Sequence, residues 1–458
     1  MANTYITRTP GSNGNQKTWT YSAWIKNNGK SADSTYQYLM EAYYANGTRY
    51  SYVCLRHGTI ETYGGDYQTG SATSVSFNVT TNRLLRDPSG WFHVVVAFDS
   101  TQSTSTDRLK IYINGEQETS FQGYVGSGAS ATFPDQNDDT FFNVTTTQNR
   151  IGKEFDGSMA HVHFVDGTAY PATTFAETDS TSGIWVPKTS PSVTYGTNGF
   201  FLKFADSSNL DLDSSGNNHT FATTGTLTQN VDTPTNNYCV LNGASNTSTG
   251  FTFANANTSA TFSSSNWETI QGTTGVNKGK WYYETKWNGT GAYMAGWTSS
   301  NFMNQSPTNY VGHGHSEPSY AIQASDGSIY YSTSSAVTQD DSGWGDTFTS
   351  SDIIGCAIDI DNGKLYWSKN GTWMNSGDPT SGSTGTGAFN ITDTATNYFW
   401  QPVMSSYNGA QGMFNFGSGY FSTTAITSAG SNGNGALFEY DVPSGYYALN
   451  TKNIKEYG

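Results

Sequence analysis

The stretch DIIGCAIDIDNGKLYWSKNG, residues 352–371, decides the fold. Ile353–Ile360 reads as a strand and runs into the turn residues Asp361, Asn362 and Gly363. Lys364–Ser368 reads as a second strand, closed by Asn370-Gly371. Asn-Gly between apolar runs is a strong two-residue hairpin signal, because both residues tolerate the left-handed backbone that such a turn needs.

The same pattern recurs along the chain. Trp19–Ile25 alternates with period two, as does Leu109–Ile113 before Asn114-Gly115. Ala160–Val165 is a further strand, and Asp166-Gly167 after it favours a hairpin turn. Trp281–Trp287, Tyr320–Ala324 and Ser328–Tyr331 follow, the last two around Asp326-Gly327. Strands every 8–12 residues separated by such turns indicate β-sandwiches. Composition agrees. Of 458 residues, 50 are Gly, 30 Tyr, 25 Phe and 12 Trp, and only 12% are charged. That mixture excludes a disordered chain, collagen and helical bundles. The expected class is all-β, with two antiparallel sandwiches and a short C-terminal tail.

The formal net charge is −15, so a basic nucleic-acid-binding patch is not expected, nor is membrane insertion. Trp91–Phe98 is the longest apolar run and is a strand rather than a membrane span. Met1–Pro10 holds no hydrophobic run, so the expectation is a protein made in a cytoplasm without a signal peptide. The three cysteines, Cys54, Cys239 and Cys356, fit neither a zinc site nor a disulfide framework and read as buried apolar residues. All seven arginines lie in the first half, and eight of the twelve tryptophans lie in the second. This shift sets a boundary near residues 232–237 and predicts domains at 1–232 and 240–425. Ser376–Gly387 reads as a long surface loop. Ser428–Gly435 reads as a flexible linker that opens a C-terminal segment, 426–458.

The first half resembles the laminin G-like/concanavalin A-like lectin family. The resemblance rests on Trp19–Lys26, Gly90–Asp99, Leu109–Gly115, Ile151–Lys153 and Phe155–Ala160, which follow the family's order. It implies two antiparallel sheets packed face to face. The second half resembles the SPRY domain through Gly279–Glu284, Gly296-Trp297, Asp352–Asp361, Gly363–Gly371, Gln401–Val403 and Phe414–Gly417. Trp367 stands where that family usually has Phe. The resemblance implies a binding module without catalysis. Asn3–Asn15, Gly183–Lys188, Asn198–Phe204, Asp213–Asn217 and Asp232–Asn237 together resemble virion proteins of tailed bacteriophages, particularly of marine cyanobacteria. That resemblance implies a tail, fibre or capsid-surface protein located on the virion. Its expected partners are other virion proteins, further copies of itself and a host-surface glycan or receptor.

Catalytic patterns are weak. A retaining or inverting glycosidase needs two facing carboxylates, and glucanases of this fold set three on one Glu-x-Asp-x-x-Glu strand. Glu154-Phe-Asp156 and Glu177-Thr-Asp179 lack the third. No Gly-x-Ser-x-Gly elbow stands between a strand and a helix, and no phosphate-binding loop is present. The expectation is a non-enzyme. No cofactor is required by any motif, and Ca²⁺ is the candidate ion. Asp206, Asp211 and Asp213 could supply oxygen ligands with Asn217. His313 and His315, with Glu317, form a candidate transition-metal loop, and His161 and His163 are expected to face one side of a strand. Flat aromatic rings stack on sugar rings. Tyr63, Tyr67, Trp344, Trp373 and Tyr407, all expected in loops, are therefore the candidate glycan or receptor contacts. The alternative readings are a purely structural capsid decoration or connector, and a glycan-degrading enzyme.

Overall fold

The computed structural model describes residues 4–28, 35–44, 50–66, 71–243, 250–263, 265–289, 291–304, 310–313 and 315–458. The chain divides into two compact units, Met1–Gln229 and Asn230–Gly458. Both are built almost wholly from antiparallel strands.

The first unit packs an eight-stranded sheet on a six-stranded one. The large sheet runs, in spatial order, Phe121–Gln122, Ser71–Thr81, Thr59–Asp66, Tyr50–Arg56, Gln37–Tyr44, Thr147–Ile151, Tyr5–Arg8 and Ala222–Thr224. The small sheet runs Phe200–Leu202, Gly157–Asp166, Thr18–Asn27, Phe92–Asp99, Leu109–Ile113 and Glu116–Gln117. Period-two alternation sends Trp19, Tyr21, Val96 and Phe164 from the small sheet against Val53, Ile60 and Val79 from the large one. Trp19 anchors this core. It stacks on Phe98 at 5.1 Å, and its indole N–H donates to Thr140 Oγ1 at 3.1 Å.

The Asn114-Gly115 turn forms as its sequence predicts. Both residues are left-handed (φ 50° and 87°), and strand 109–113 pairs back with 116–117. Asp166-Gly167 does not make the predicted hairpin. Strand 157–166 pairs instead with 18–27 and 200–202. The Asp166 carboxylate is consumed by the amides of Asn15 (2.8 Å) and Asn198 (3.0 Å) and by Asn143 Nδ2 (3.2 Å), which tie three distant loops together.

The second unit packs a nine-stranded sheet on a six-stranded one. The main path of the larger sheet is Phe251–Ala254, Ser259–Phe262, Gln411–Asn415, Lys280–Asn288, Ile353–Asp359, Lys364–Lys369 and Thr372–Trp373. The smaller sheet is Glu268–Gln271, Trp400–Ser406, Tyr293–Ser299, Ser319–Gln323, Ile329–Thr333 and Ala336–Asp341. The opening stretch lies at the centre as expected, with Cys356 opposite Trp367 and Ile358 opposite Leu365. Trp367 joins the two sheets by donating its indole N–H to Ala295 O at 3.0 Å. All three cysteines are buried and free.

Two predicted loops are more ordered than composition suggests. Within 376–387 the chain makes 3-10 turns, with Asp378 capping Pro379–Thr384 through Thr380 N–H. The stretch 428–435 is a hydrogen-bonded turn and not a linker. Gly430 N–H donates to Phe438 O at 2.9 Å, and Asn432 Nδ2 donates to Val442 O at 3.1 Å. The residues after it pack within the second unit and end in the helix Thr451–Tyr457. Among the described residues no helix is long and apolar enough to cross a membrane.

Candidate ligand-binding faces

The outer face of the eight-stranded sheet is the richest in polar aromatics. Register places Glu41, Tyr52 and Tyr63 in one cross-strand row and Tyr38, Cys54 and Glu61 in the next. Their chain neighbours point the other way, into the core. The result is a tyrosine floor. Tyr52 stacks on Tyr63 with centroids 5.0 Å apart, and Tyr50 stacks on Tyr63 at 5.3 Å. Tyr36 stacks on Tyr38 at 5.9 Å and meets Tyr52 edge-on at 5.7 Å. Tyr52 and Tyr63 are buried, whereas Tyr36, Tyr38, Tyr50 and Tyr124 are half-buried and meet solvent.

Charges are threaded through these rings. Glu61 is buried and accepts from Tyr52 Oη (2.7 Å), Asn78 Nδ2 (3.3 Å) and Arg56 Nη1 (3.4 Å). The Arg56 guanidinium lies 4.4 Å from the centre of the Tyr36 ring. Glu41 pairs with Arg150 at 3.3 Å, and Arg150 sits 3.6 Å over Tyr43. Burial raises the Glu41 pKa against the pull of Lys153 and Arg150. Burial likewise pushes the Tyr38 and Tyr52 phenols far above their ordinary value, so both stay protonated donors. Chemically this is a platform of neutral rings and hydroxyls with its carboxylates already hydrogen-bonded. Such a face suits stacking and directional hydrogen bonding.

The second unit carries a smaller aromatic surface on the outer side of its six-stranded sheet. Trp267 stacks on Tyr310 at 4.7 Å, and Tyr310 stacks on His313 at 4.5 Å. Tyr407 lies 5.9 Å from Trp267, and Tyr330 lies 6.5 Å from Tyr310. Met294, Val311, Ala321 and Val403 form the buried bed beneath.

The structure thus redistributes the predicted contacts. Tyr63 is a buried strand residue of the tyrosine floor rather than a loop residue. Tyr67 lies outside the described residues. Tyr407 is exposed and joins the second surface, as does His313. Trp344 closes the edge of the core, edge-on to Trp367 at 5.6 Å. Trp373 is half-buried against Tyr282 and Tyr366 at 6.3 Å each. Sequence reading missed Tyr36, Tyr38, Tyr50 and Tyr52, although their i, i+2 spacing is a visible cue. It also missed Trp267, Tyr310 and Tyr330, which only tertiary pairing brings together.

The predicted metal ligands do not converge. Among the described residues no three His, Cys, Asp or Glu side chains gather to hold a metal. Asp213 spends its oxygens on the amides of Phe201, Ser215 and His219, at 2.9–3.0 Å. Asp206 caps Ser208, and Asp211 accepts from Thr223 Oγ1 at 3.0 Å, so the three aspartates have separate partners. His315 bonds Tyr310 O at 3.1 Å, and burial lowers its pKa to about 4. A bulge at His161 (φ 47°) breaks the expected alternation with His163. The His163 ring instead stacks on Phe201 at 3.9 Å and bonds Tyr195 Oη at 2.8 Å.

One buried pair has the spacing of a serine–histidine dyad. Ser22 Oγ lies 2.9 Å from His93 Nε2. The indole N–H of Trp185 donates to His93 Nδ1 at 3.1 Å, so the ring's own proton must sit on Nε2 and point at Ser22. A base for Ser22 would need that nitrogen bare. Burial also lowers the His93 pKa to about 3, which favours the neutral ring.

Comparison with known proteins assigns both units. Residues 1–174 match the concanavalin A-like lectin/glucanases superfamily, and residues 280–419 match the SPRY domain. The chain carries a concanavalin A-like domain and a SPRY domain. Domains of these two kinds typically mediate binding. Over 105 residues the chain is 31% identical to the ATP-dependent RNA helicase DDX1 of Xenopus laevis, a span of 23% of this chain and 12% of the helicase. The SPRY domain of human HERC1 is similar at 16% identity, over 34% of this chain and 87% of that one, with a TM-score of 0.25. The PSpry domain of TRIM65 is similar at 10% identity, over 39% of this chain and 91% of that one, with a TM-score of 0.28.

Proposed function

We propose that this chain is a non-catalytic surface protein of a bacteriophage virion that binds a host-surface glycan or receptor. The observation that carries the binding part is the tyrosine face of the first unit. Half-buried Tyr36, Tyr38 and Tyr50 offer ring faces and hydroxyls, with Arg56 over Tyr36 and Arg150 over Tyr43. Sugar rings present an apolar face and a rim of hydroxyls, which is the complement of such a platform. Single contacts of this kind are weak, and many copies on one particle would multiply them. The virion assignment rests on the resemblance of Asn3–Asn15 and the other quoted stretches to tailed-phage proteins. The acidity of the chain agrees with a crowded, soluble surface.

The test is binding of the full-length chain to an array of bacterial surface glycans, alongside Tyr50→Ala and Tyr38→Ala variants. Binding lost in the variants supports the reading. An array with no binder leaves a structural decoration protein in its place. Polysaccharide cleavage by the purified chain would overturn the non-catalytic assignment. Immunogold labelling of particles locates the protein on head or tail, and unlabelled particles would refute the virion role.

A further inference from the structure

The outer face of the nine-stranded sheet in the second unit is filled by the chain's own C-terminal segment. Strand 280–288 pairs on one side with 353–359, from Lys280 to Lys286. On the other side strand 411–415 reaches only from Asn288 to Glu284. The first half of 280–288 therefore offers an unused backbone edge, the template for an added strand. Tyr447–Ala448 take it, in parallel, opposite Trp281 and Tyr282.

Upstream of that strand, Phe438, Val442 and Tyr446 recur every four residues, each 1% exposed. They pack with Tyr282, Ala357 and Tyr366 in a cluster separate from the sandwich core. Phe438 meets Tyr282 edge-on at 5.0 Å, and Tyr446 Oη donates to Pro379 O at 3.1 Å. Tyr440 lies over the hairpin turn at Gly371, where a Cβ would stand 2.7 Å from its ring. Glu284 sits where strand 411–415 stops. Its buried carboxylate accepts the consecutive amides of Glu439 (2.8 Å) and Tyr440 (2.9 Å), besides Tyr282 Oη and Asn415 Nδ2. A sheet edge, apolar pockets for spaced side chains and an acceptor for backbone N–H groups together describe a site that reads a peptide segment.

We propose that this face is a peptide-docking site, occupied by residues 436–449 of the same chain and able to take the same segment from a second copy. The complementarity is identical in every copy, so exchange requires that the connecting turn open and that the bonds of Leu449, Thr451 and Lys452 to residues 236–239 re-form on the second copy. That turn is exposed. Asn432 (φ 60°) and Asn434 (φ 50°) are left-handed non-glycine residues, followed by Gly435 (φ 87°).

The test uses the full-length chain with a protease site inserted after Gly433. After cleavage, the nicked protein is incubated with a fluorescent peptide of residues 434–458. Saturable uptake of the peptide, with loss of the original fragment, is the expected result. The same peptide carrying Phe438→Asp should bind at least about tenfold more weakly, and a Glu284→Gln chain should release its fragment faster. A nicked chain that takes up no peptide overturns the proposal, whether its fragment stays or leaves. For the exchange between copies, heavy-isotope and light intact chains are mixed at high concentration and weighed by native mass spectrometry. Heavy–light dimers absent from the Phe438→Asp chain support exchange, and monomers alone refute it. Neither readout involves the first unit, so failure here leaves the glycan reading untouched.

Discussion

Each unit places a tyrosine hydroxyl on a buried glutamate at the outer face of its larger sheet, and the two faces have opposite fates. In the first unit Tyr52 donates to Glu61, and the other partners of that carboxylate are side chains, Asn78 and Arg56. In the second unit Tyr282 donates to Glu284 at 3.1 Å, and two of the other partners are backbone amides of the C-terminal segment. A carboxylate satisfied by its own sheet leaves rings free to meet solvent. A carboxylate with lone pairs to spare recruits a strand. The same local chemistry thus gives a ligand platform in one sandwich and a strapped face in the other.

The contrast breaks most sharply at Phe438. Truncation of a fully buried Phe to Ala costs roughly 3–5 kcal/mol. Phe438→Ala should therefore lower the melting transition of the second unit and leave the first unchanged, as read by scanning calorimetry. One shared shift of both transitions would contradict the separation of the units.

Glu284 carries the next largest effect. Burial lifts its pKa from 4.5 to about 7, against the pull of the Tyr440 and Glu439 amides and of Tyr282 and Asn415. The folded unit then holds the proton more tightly than the unfolded chain does. The resulting stabilisation is complete below about 4.5 and is lost as pH rises through about 7. At about 1.4 kcal/mol per pKa unit it is on the order of 3 kcal/mol. Denaturant unfolding of the second unit at pH 5 and pH 8 should show it, and Glu284→Gln should flatten that dependence. A second unit equally stable at both pH values would place the ionisation elsewhere.

Glu61→Gln should cost less, about 1–3 kcal/mol, and only in the first unit. The amide oxygen can still accept from Tyr52 and Asn78, but its NH₂ group would face the donor Arg56. A larger loss than Phe438→Ala would reverse the ranking of the two faces.

Much of this was legible locally and little of it globally. The hairpin at 352–371 was readable because its strands and turn lie within twenty residues. Tyr63 was misplaced because Gly64-Gly65 looks like a loop. In fact Gly64 is a strand residue whose missing side chain makes room for the Phe77 ring, which any Cβ there would strike. The tyrosine floor needs the order of strands 37–44, 50–56 and 59–66, which alternation alone does not supply. The Gly- and Asn-rich turn at 428–435 looked like a linker because composition shows hydrogen-bonding capacity and not the partners that use it. The aspartates of 206–213 failed as a metal cluster for the same reason. Their sequence proximity was real, but backbone amides engage Asp206 and Asp213, and the Thr223 hydroxyl engages Asp211.

The smallest effect on stability should be the largest on binding. Tyr50 is half-buried, stacked on Tyr52 and Tyr63 at the solvent side of the floor. Removing its ring leaves the buried pair beneath intact, so Tyr50→Ala should cost only about 1 kcal/mol, as partly exposed substitutions generally do. If the face binds sugar by stacking, the same change removes a ring face and a hydroxyl together, and affinity should fall tenfold or more in titration calorimetry with any glycan the array identifies. Tyr50→Phe keeps the ring and loses the hydroxyl, and should retain most of the binding. Equal losses in both variants would assign the contact to the hydroxyl rather than to stacking. Unchanged affinity in both would move the ligand off this face, to the exposed Trp267–Tyr310–Tyr407 surface of the second unit.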